Sequence, residues 1–326
     1  MRAAVLGAGV IGRGWAARFL LHGWNVVIYD ADPAAPAKVN QTLTRARQAL
    51  NDLYDADLPV EGQLGFADSA IEAVQNADWV QESIPESVSL KRALYESIQH
   101  ALPIGTPLAS STSGFKPSDL ASDLHCARQM LVCHPFNPVY LLPVVELVAG
   151  EHTAGATMDK AGQVLTDMGM KPISVRREID AHIADRLLEA LWREALWLVA
   201  DDVATTAEID DVMRYGFGLR WAQMGLFETY RIAGGDAGMK HFLRQFGPAL
   251  AWPWSKLTDV PDLDEALIEK IASQSDAQSG HQTISELEQQ RDDNLVAIIR
   301  ALKRTNSGAG ELVNAIEARL NPRRSF

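Results

Sequence analysis

Arg2-Ala3-Ala4-Val5-Leu6-Gly7-Ala8-Gly9-Val10-Ile11-Gly12 is the stretch whose reading decides the fold. Arg2–Leu6 is a short apolar run of the kind that makes a strand buried on both faces, and Gly14–His22 reads as a helix. Between them lies a G-x-G-x-x-G. Gly7 permits a tight turn, Gly9 lets a pyrophosphate approach the backbone, and Gly12 allows close packing of helix on strand. The backbone of Ala8, Val10 and Ile11 then joins the glycines in presenting amides to a diphosphate at the positive end of the helix dipole. A second strand, Asn25–Asp30, ends in an acidic residue eighteen positions after Gly12. An acid about 20 residues beyond such glycines accepts hydrogen bonds from the adenosine ribose. Asp30 would repel a 2′-phosphate, and the Ala31, Asp32 and Pro33 that follow supply no arginine to hold one. The cofactor expected is NAD rather than NADP.

Outward from this turn the chain keeps alternating. Pro33–Leu53 reads as a long polar helix, and further apolar runs fall at Asp78–Ser83, Pro107–Ser110, Met130–His134 and Val144–Val148. Short apolar strands separated by helices imply a largely parallel, doubly wound sheet. Near Val175–Ile179 the rhythm changes, and Ile183, Leu187, Leu188, Leu191 and Ala195 fall at helical spacing. The expectation is an α/β protein with a Rossmann-type domain over residues 1–177 and a mainly α-helical second domain over 178–326.

Composition narrows the function. The 326 residues are 47% hydrophobic and 22% charged, an ordinary globular mixture. A net charge of −12 argues against nucleic acid and anionic lipid as partners, because both are bound by clustered basic charge. Cys126 and Cys133 are the only cysteines, too few for a disulfide framework, so a reducing, cytoplasmic setting is expected. The N-terminus does not read as a signal peptide, and no apolar run approaches the ~20 residues that span a bilayer. No H-E-x-x-H and no cysteine pair at ligand spacing occurs, so no metal is expected.

Three residues stand where chemistry would be done. Ser113 follows the strand at Pro107–Ser110, and His134 closes the next one, both at the strand ends where open parallel sheets bind ligands. Glu146 lies twelve residues after His134 inside the apolar run PVVELV. A carboxylate buried there needs a partner, and an imidazole would serve. Ser…His…Glu also describes a hydrolase triad, but Ser113 has no G-x-S-x-G elbow around it. Behind a dinucleotide turn the same groups suit alcohol oxidation: His takes the hydroxyl proton, Glu fixes its tautomer, and Ser hydrogen-bonds the reacting oxygen.

The glycine turn, the Ser110–Gly114 segment SSTSG, His134–Pro138 (HPFNP) and Glu146 together resemble the 3-hydroxyacyl-CoA dehydrogenase family. The resemblance runs from residue 1 through most of the helical domain. It implies catalytic roles for Ser113, His134 and Glu146, a motif asparagine at Asn137, and a homodimer formed through the helical domain. It further implies that Glu86 and Lys91, in IPESVSLK, line the cofactor, with Lys91 reaching the ribose or a phosphate. Arg214–Leu250 and Ile284–Lys303 resemble the branch of this family whose members oxidise L-carnitine. A neighbouring branch, the lambda-crystallin and L-gulonate dehydrogenase group, shares Gly218-Leu219-Arg220-Trp221 and Glu228-Thr229 and stays open as an alternative, as do a 3-hydroxyacyl-CoA substrate and a non-catalytic NAD-binding role.

One departure from the family pattern is informative. The family has Asn in an I-x-N-R segment, where this chain has Ile183-Ala184-Asp185-Arg186. An ionised Asp cannot donate to a developing alkoxide, but it suits a quaternary ammonium such as that of carnitine. Such a cation cannot hydrogen-bond, so aromatic faces are its natural surface. Phe136 and Tyr140 near His134, and Trp192, Trp197, Trp221, Trp252 and Trp254 in the second domain, supply aromatic rings; Tyr140 and Trp221 are the preferred candidates.

Overall fold

Residues Ala3 to Leu6 of the first strand, β1 (Arg2–Leu6), have no exposed surface. Ala3 and Val5 join one apolar layer while Ala4 and Leu6 join the other, which is why the run is apolar throughout rather than alternating. The computed structural model describes residues 1–233, 242–245, 255, 264–279 and 281–320. After β1 come α1 (Val10–Leu21), β2 (Asn25–Tyr29), α2 (Ala35–Leu53), β3 (Leu64–Phe66), α3 (Ala70–Val74), β4 (Trp79–Glu82), α4 (Val88–Ile98), β5 (Leu108–Ser110), α5 (Pro117–Ala121), β6 (Met130–Pro135), β7 (Val144–Ala149), α6 (Gly155–Asp167) and β8 (Lys171–Val175).

The eight strands form one sheet in the order β3-β2-β1-β4-β5-β6-β7-β8. Every neighbouring pair is parallel except β6 and β7, which run antiparallel with His134 opposite Glu146. This is the doubly wound α/β fold, with helices on both faces. Trp15 and Phe19 of α1 stack at 5.7 Å, and Phe19 also meets Trp24 at 5.2 Å and Trp79 at 6.1 Å. These aromatic contacts lock α1 onto the sheet, each adding roughly 0.5–1.5 kcal/mol beyond area burial. The helix starts at Val10, four residues earlier than Gly14, and so contains Gly12. A Cβ on Gly12 would lie 1.8 Å from the Gly7 carbonyl oxygen, so only glycine lets the helix begin there.

The chain divides into two compact units, Met1–Asp185 with Gln289–Phe326, and Arg186–Glu288. This differs from a helical domain running from 178 to 326. Val296 and Ile299 of helix Ile284–Arg304, and Val313 and Ile316 of helix Ala309–Leu320, belong to the same buried cluster as Val39, Leu50 and Leu53 of α2. Arg300 adds a hydrogen bond of 2.8 Å to the Asp52 carbonyl. Their apolar stripe belongs to the first unit, which helical spacing alone could not reveal. The second unit holds helices Thr206–Val212, Gly218–Ala233 and Glu265–Ser279, the first begun by a Thr205–Glu208 capping box.

Candidate active site

The turn after β1 builds a cavity of about 730 Å³ lined by Gly9, Val10, Arg13, Tyr29, Asp30 and Lys38 among others. Gly7 takes φ +91°, a conformation that L side chains rarely adopt, and a Cβ there would come within 2.7 Å of the Ser83 carbonyl oxygen. A Cβ on Gly9 would meet nothing within 4 Å, so the backbone lies open exactly where a diphosphate has to approach it. Asp30, following β2, accepts the Ala8 amide through Oδ2 and the Asp32 amide through Oδ1, the latter at 2.7 Å. These contacts hold its carboxylate at the rim of the cavity. The open turn, the helix N-terminus and the acid fit NAD.

His134, on β6, is 6% exposed and its Nδ1 lies 2.9 Å from Oε2 of Glu146 on β7. The antiparallel register makes these residues direct cross-strand neighbours. The other Glu146 oxygen accepts the amides of Ile183 at 2.9 Å and Ala184 at 3.1 Å, at the start of α7 (Ala184–Ala200). Burial opposes ionisation of Glu146, yet the hydrogen bonds from His134, Ile183 and Ala184 outweigh it and hold the carboxyl below its ordinary value. An ionised Glu146 requires a proton on Nδ1 of His134, which leaves the Nε2 lone pair on the opposite side of the ring. Asp185 Oδ1 stands 3.9 Å from that Nε2. Phe136 is half-buried, its ring 5.3 Å from the imidazole, while Asn137 is exposed. Ser113 is half-buried in the loop after β5, and among the described residues its hydroxyl has no hydrogen-bond partner.

Two groups absent from the motif reading complete this region. His182 is fully buried, its ring 5.8 Å from that of His134. Glu82 ends β4, fully buried, and accepts from Lys91 at 2.7 Å, Ser110 at 2.6 Å, the Ile84 amide at 2.8 Å and the Tyr95 hydroxyl. An acid within the run Asp78–Ser83 was the available signal for it. Glu86 takes the Thr112 hydroxyl and, at 3.4 Å, the Gly114 amide, so both acids tie down the loop that carries Ser113.

Three expectations meet different surroundings. Lys91 is 1% exposed, and its three donors face Glu82 at 2.7 Å, Glu86 at 3.3 Å and the Ile84 carbonyl at 3.3 Å. Tyr140 is not an open aromatic face: it is 3% exposed in the core, with its hydroxyl donated to Asp292. Trp221 lies in the second unit, tilted on Phe217 at 4.5 Å, whereas Trp252 and Trp254 lie outside the described residues.

The sheet, the glycine turn and the acid after β2 together make an NAD-binding domain of the dehydrogenase type. Profiles of the 3-hydroxyacyl-CoA dehydrogenase NAD-binding domain and C-terminal domain match residues 2–179 and 182–269, and the chain belongs to that family. It is 57% identical over 98% of its length to an L-carnitine dehydrogenase/betainyl-CoA thioesterase of Ruegeria pomeroyi, but spans only 66% of that protein. It is 52% identical over 95% of its length to an L-carnitine dehydrogenase of Mesorhizobium japonicum, spanning 85% of it. Among solved structures, 5-formyl-3-hydroxy-2-methylpyridine 4-carboxylic acid 5-dehydrogenase, an NAD-dependent dismutase, is similar at 29% identity and TM-score 0.77, with 93% of this chain and 98% of that one covered.

Proposed function

We propose that this chain oxidises L-carnitine to 3-dehydrocarnitine with NAD, using Ser113, His134 and Glu146 as its proton-handling group. The observation that carries the reading is the His134 imidazole set between Glu146 at Nδ1 and Asp185 beside Nε2. With Nδ1–H donated to Glu146, Nε2 accepts the proton of the substrate's 3-hydroxyl. NAD held by the glycine turn and Asp30 would supply the acceptor for the hydride of C3. Ser113 donates its hydroxyl hydrogen to the reacting oxygen. Glu146 stabilises the imidazolium that forms, and it remains ionised because two helix-terminal amides share its charge.

The substrate assignment follows from charge. In carnitine the trimethylammonium sits on the carbon next to the carbinol, so a base touching the hydroxyl has the cation close by. Asp185 is the acid beside Nε2, and the names of the carnitine dehydrogenase relatives support the same substrate. Asp185→Asn tests the assignment. The variant should lose kcat/KM for carnitine while keeping NAD affinity and gaining, in relative terms, on uncharged 3-hydroxy acids; unchanged carnitine kinetics would remove Asp185 from the site.

The protein is also proposed to act as a homodimer in a reducing, cytoplasmic compartment. Leu187, Leu188 and Trp192 on α7 are 55%, 51% and 56% exposed, an apolar surface suited to a second copy. Both cysteines are unpaired and buried, which fits a reducing setting.

A further inference from the structure

His182 presents an arrangement that proton transfer at His134 does not by itself explain. It is fully buried, in the short segment between Asp180 and α7. Its Nε2 lies 3.4 Å from the Thr112 carbonyl oxygen, next to Ser113 in the chain, and its buried Nδ1 has no hydrogen-bond partner among the described residues. Ala181 and His182 both take positive φ, +61° and +51°, a backbone that β-carbon-bearing residues disfavour. The next two amides, of Ile183 and Ala184, are those bound by Glu146. One residue therefore touches the serine loop with its side chain and leads directly into the amides that hold the general base's partner.

We propose that His182 is a positioning residue, whose neutral imidazole donates Nε2–H to the Thr112 carbonyl and so holds the Ser113 loop in register with the His134–Glu146 pair. The inference rests on the proposed roles of Ser113 and His134. Neutrality is essential to it. Oxidation places a positive charge on His134, and a second cation 5.8 Å away would oppose that charge. Burial and the neighbouring His134 push His182 below the ordinary histidine value, against smaller opposing contributions from Glu146 and the Thr112 and Ile179 carbonyls. The ionisable groups facing this position are His134 and Glu146 from the sheet, with Asp185 in the first turn of α7, 3.9 Å from His134 Nε2.

Three measurements test this. His182→Phe keeps a planar ring but removes both nitrogens, and His182→Gln keeps an amide donor at the reach of Nε2. A lost neutral hydrogen bond corresponds to roughly 2- to 13-fold in rate. The Phe variant should lose about that much kcat with NAD affinity unchanged, and the Gln variant should recover most of it. Nitrogen-15 histidine spectra of the unmodified protein should show one histidine that is the neutral Nε2–H tautomer at neutral pH, and this resonance should vanish in His182→Gln. A Phe variant with parental kcat, a Gln variant as impaired as the Phe variant, or a cationic His182 in the spectra at neutral pH would each overturn the proposal. The spectra need no substrate, so they decide it even if carnitine is not turned over, and failure of the substrate assignment stays separate from failure of this one.

Discussion

Glu146→Gln probes the acid–base pair with the least change of shape. One Glu146 oxygen faces His134 Nδ1 at 2.9 Å, and the other accepts the Ile183 and Ala184 amides at 2.9 and 3.1 Å. A glutamine has only one acceptor oxygen to cover both sides. If it serves the amides, its NH2 faces Nδ1 and draws the proton of His134 to Nε2, where it blocks uptake of the substrate proton. If it serves His134, its NH2 confronts two amide donors at the start of α7. Either arrangement forfeits a charge-assisted hydrogen bond worth about 1.5–3 kcal/mol, which converts to roughly 10- to 150-fold in kcat. That is less than the ~10²–10⁴-fold expected when His134→Ala removes the base itself. The assay is steady-state NADH formation from L-carnitine, with NAD affinity measured separately by fluorescence titration. The expected pattern is a lower kcat with unchanged NAD affinity. Full activity in Glu146→Gln, or a loss confined to NAD binding, would refute the pairing of Glu146 with the catalytic imidazole.

Asp30→Ala should weaken NAD and narrow its advantage over NADP, while leaving carnitine affinity nearly unchanged; titration of the folded variant with both cofactors checks it, and an unchanged NAD affinity would remove Asp30 from the ribose site. Stability should fall as pH drops below 6.5. His22 is held neutral to about 3 by burial and by the Arg18 charge, so the unfolded chain takes up a proton that the folded chain refuses. His182, lowered in the same direction, adds to the slope, and each contributes at most about 1.4 kcal/mol per pH unit. Glu146 acts in the same sense over a lower range: its stabilisation is complete above 4.5 and disappears as pH falls below that. Urea unfolding between pH 6.5 and 4.5 isolates the histidines, and a His22→Gln slope equal to the parent's would contradict the assignment to His22.

The glycine turn was legible because backbone geometry leaves no substitute for Gly7 and Gly12, and the central strands because burial on both faces makes them apolar throughout. The two edge strands were not. β3 has three residues, and β8, KPISV, is largely solvent-facing and contains a proline that only an edge tolerates, so neither carries an apolar signature. The last two helices look like any amphipathic helices, and their assignment to the first unit depends on long-range packing with α2. At the site, spacing along the chain separates His134 from Glu146, whereas the antiparallel pairing that makes them neighbours is a property of the sheet. The burial of Tyr140 was not legible because nearness in sequence to His134 says nothing about which way a side chain turns, and Asp292, its hydrogen-bond partner, is far away in the chain. His182 carried no motif at all; its buried position and left-handed backbone appear only in three dimensions.

The most direct measurement is kcat/KM for NAD reduction with L-carnitine, L-gulonate and 3-hydroxybutyryl-CoA in parallel, on the full chain and on His134→Ala. Carnitine should be preferred over both competitors by the parent, and His134→Ala should lose that activity while still binding NAD. Faster turnover of gulonate or of the acyl-CoA by the parent, or undiminished carnitine oxidation by His134→Ala, would contradict it.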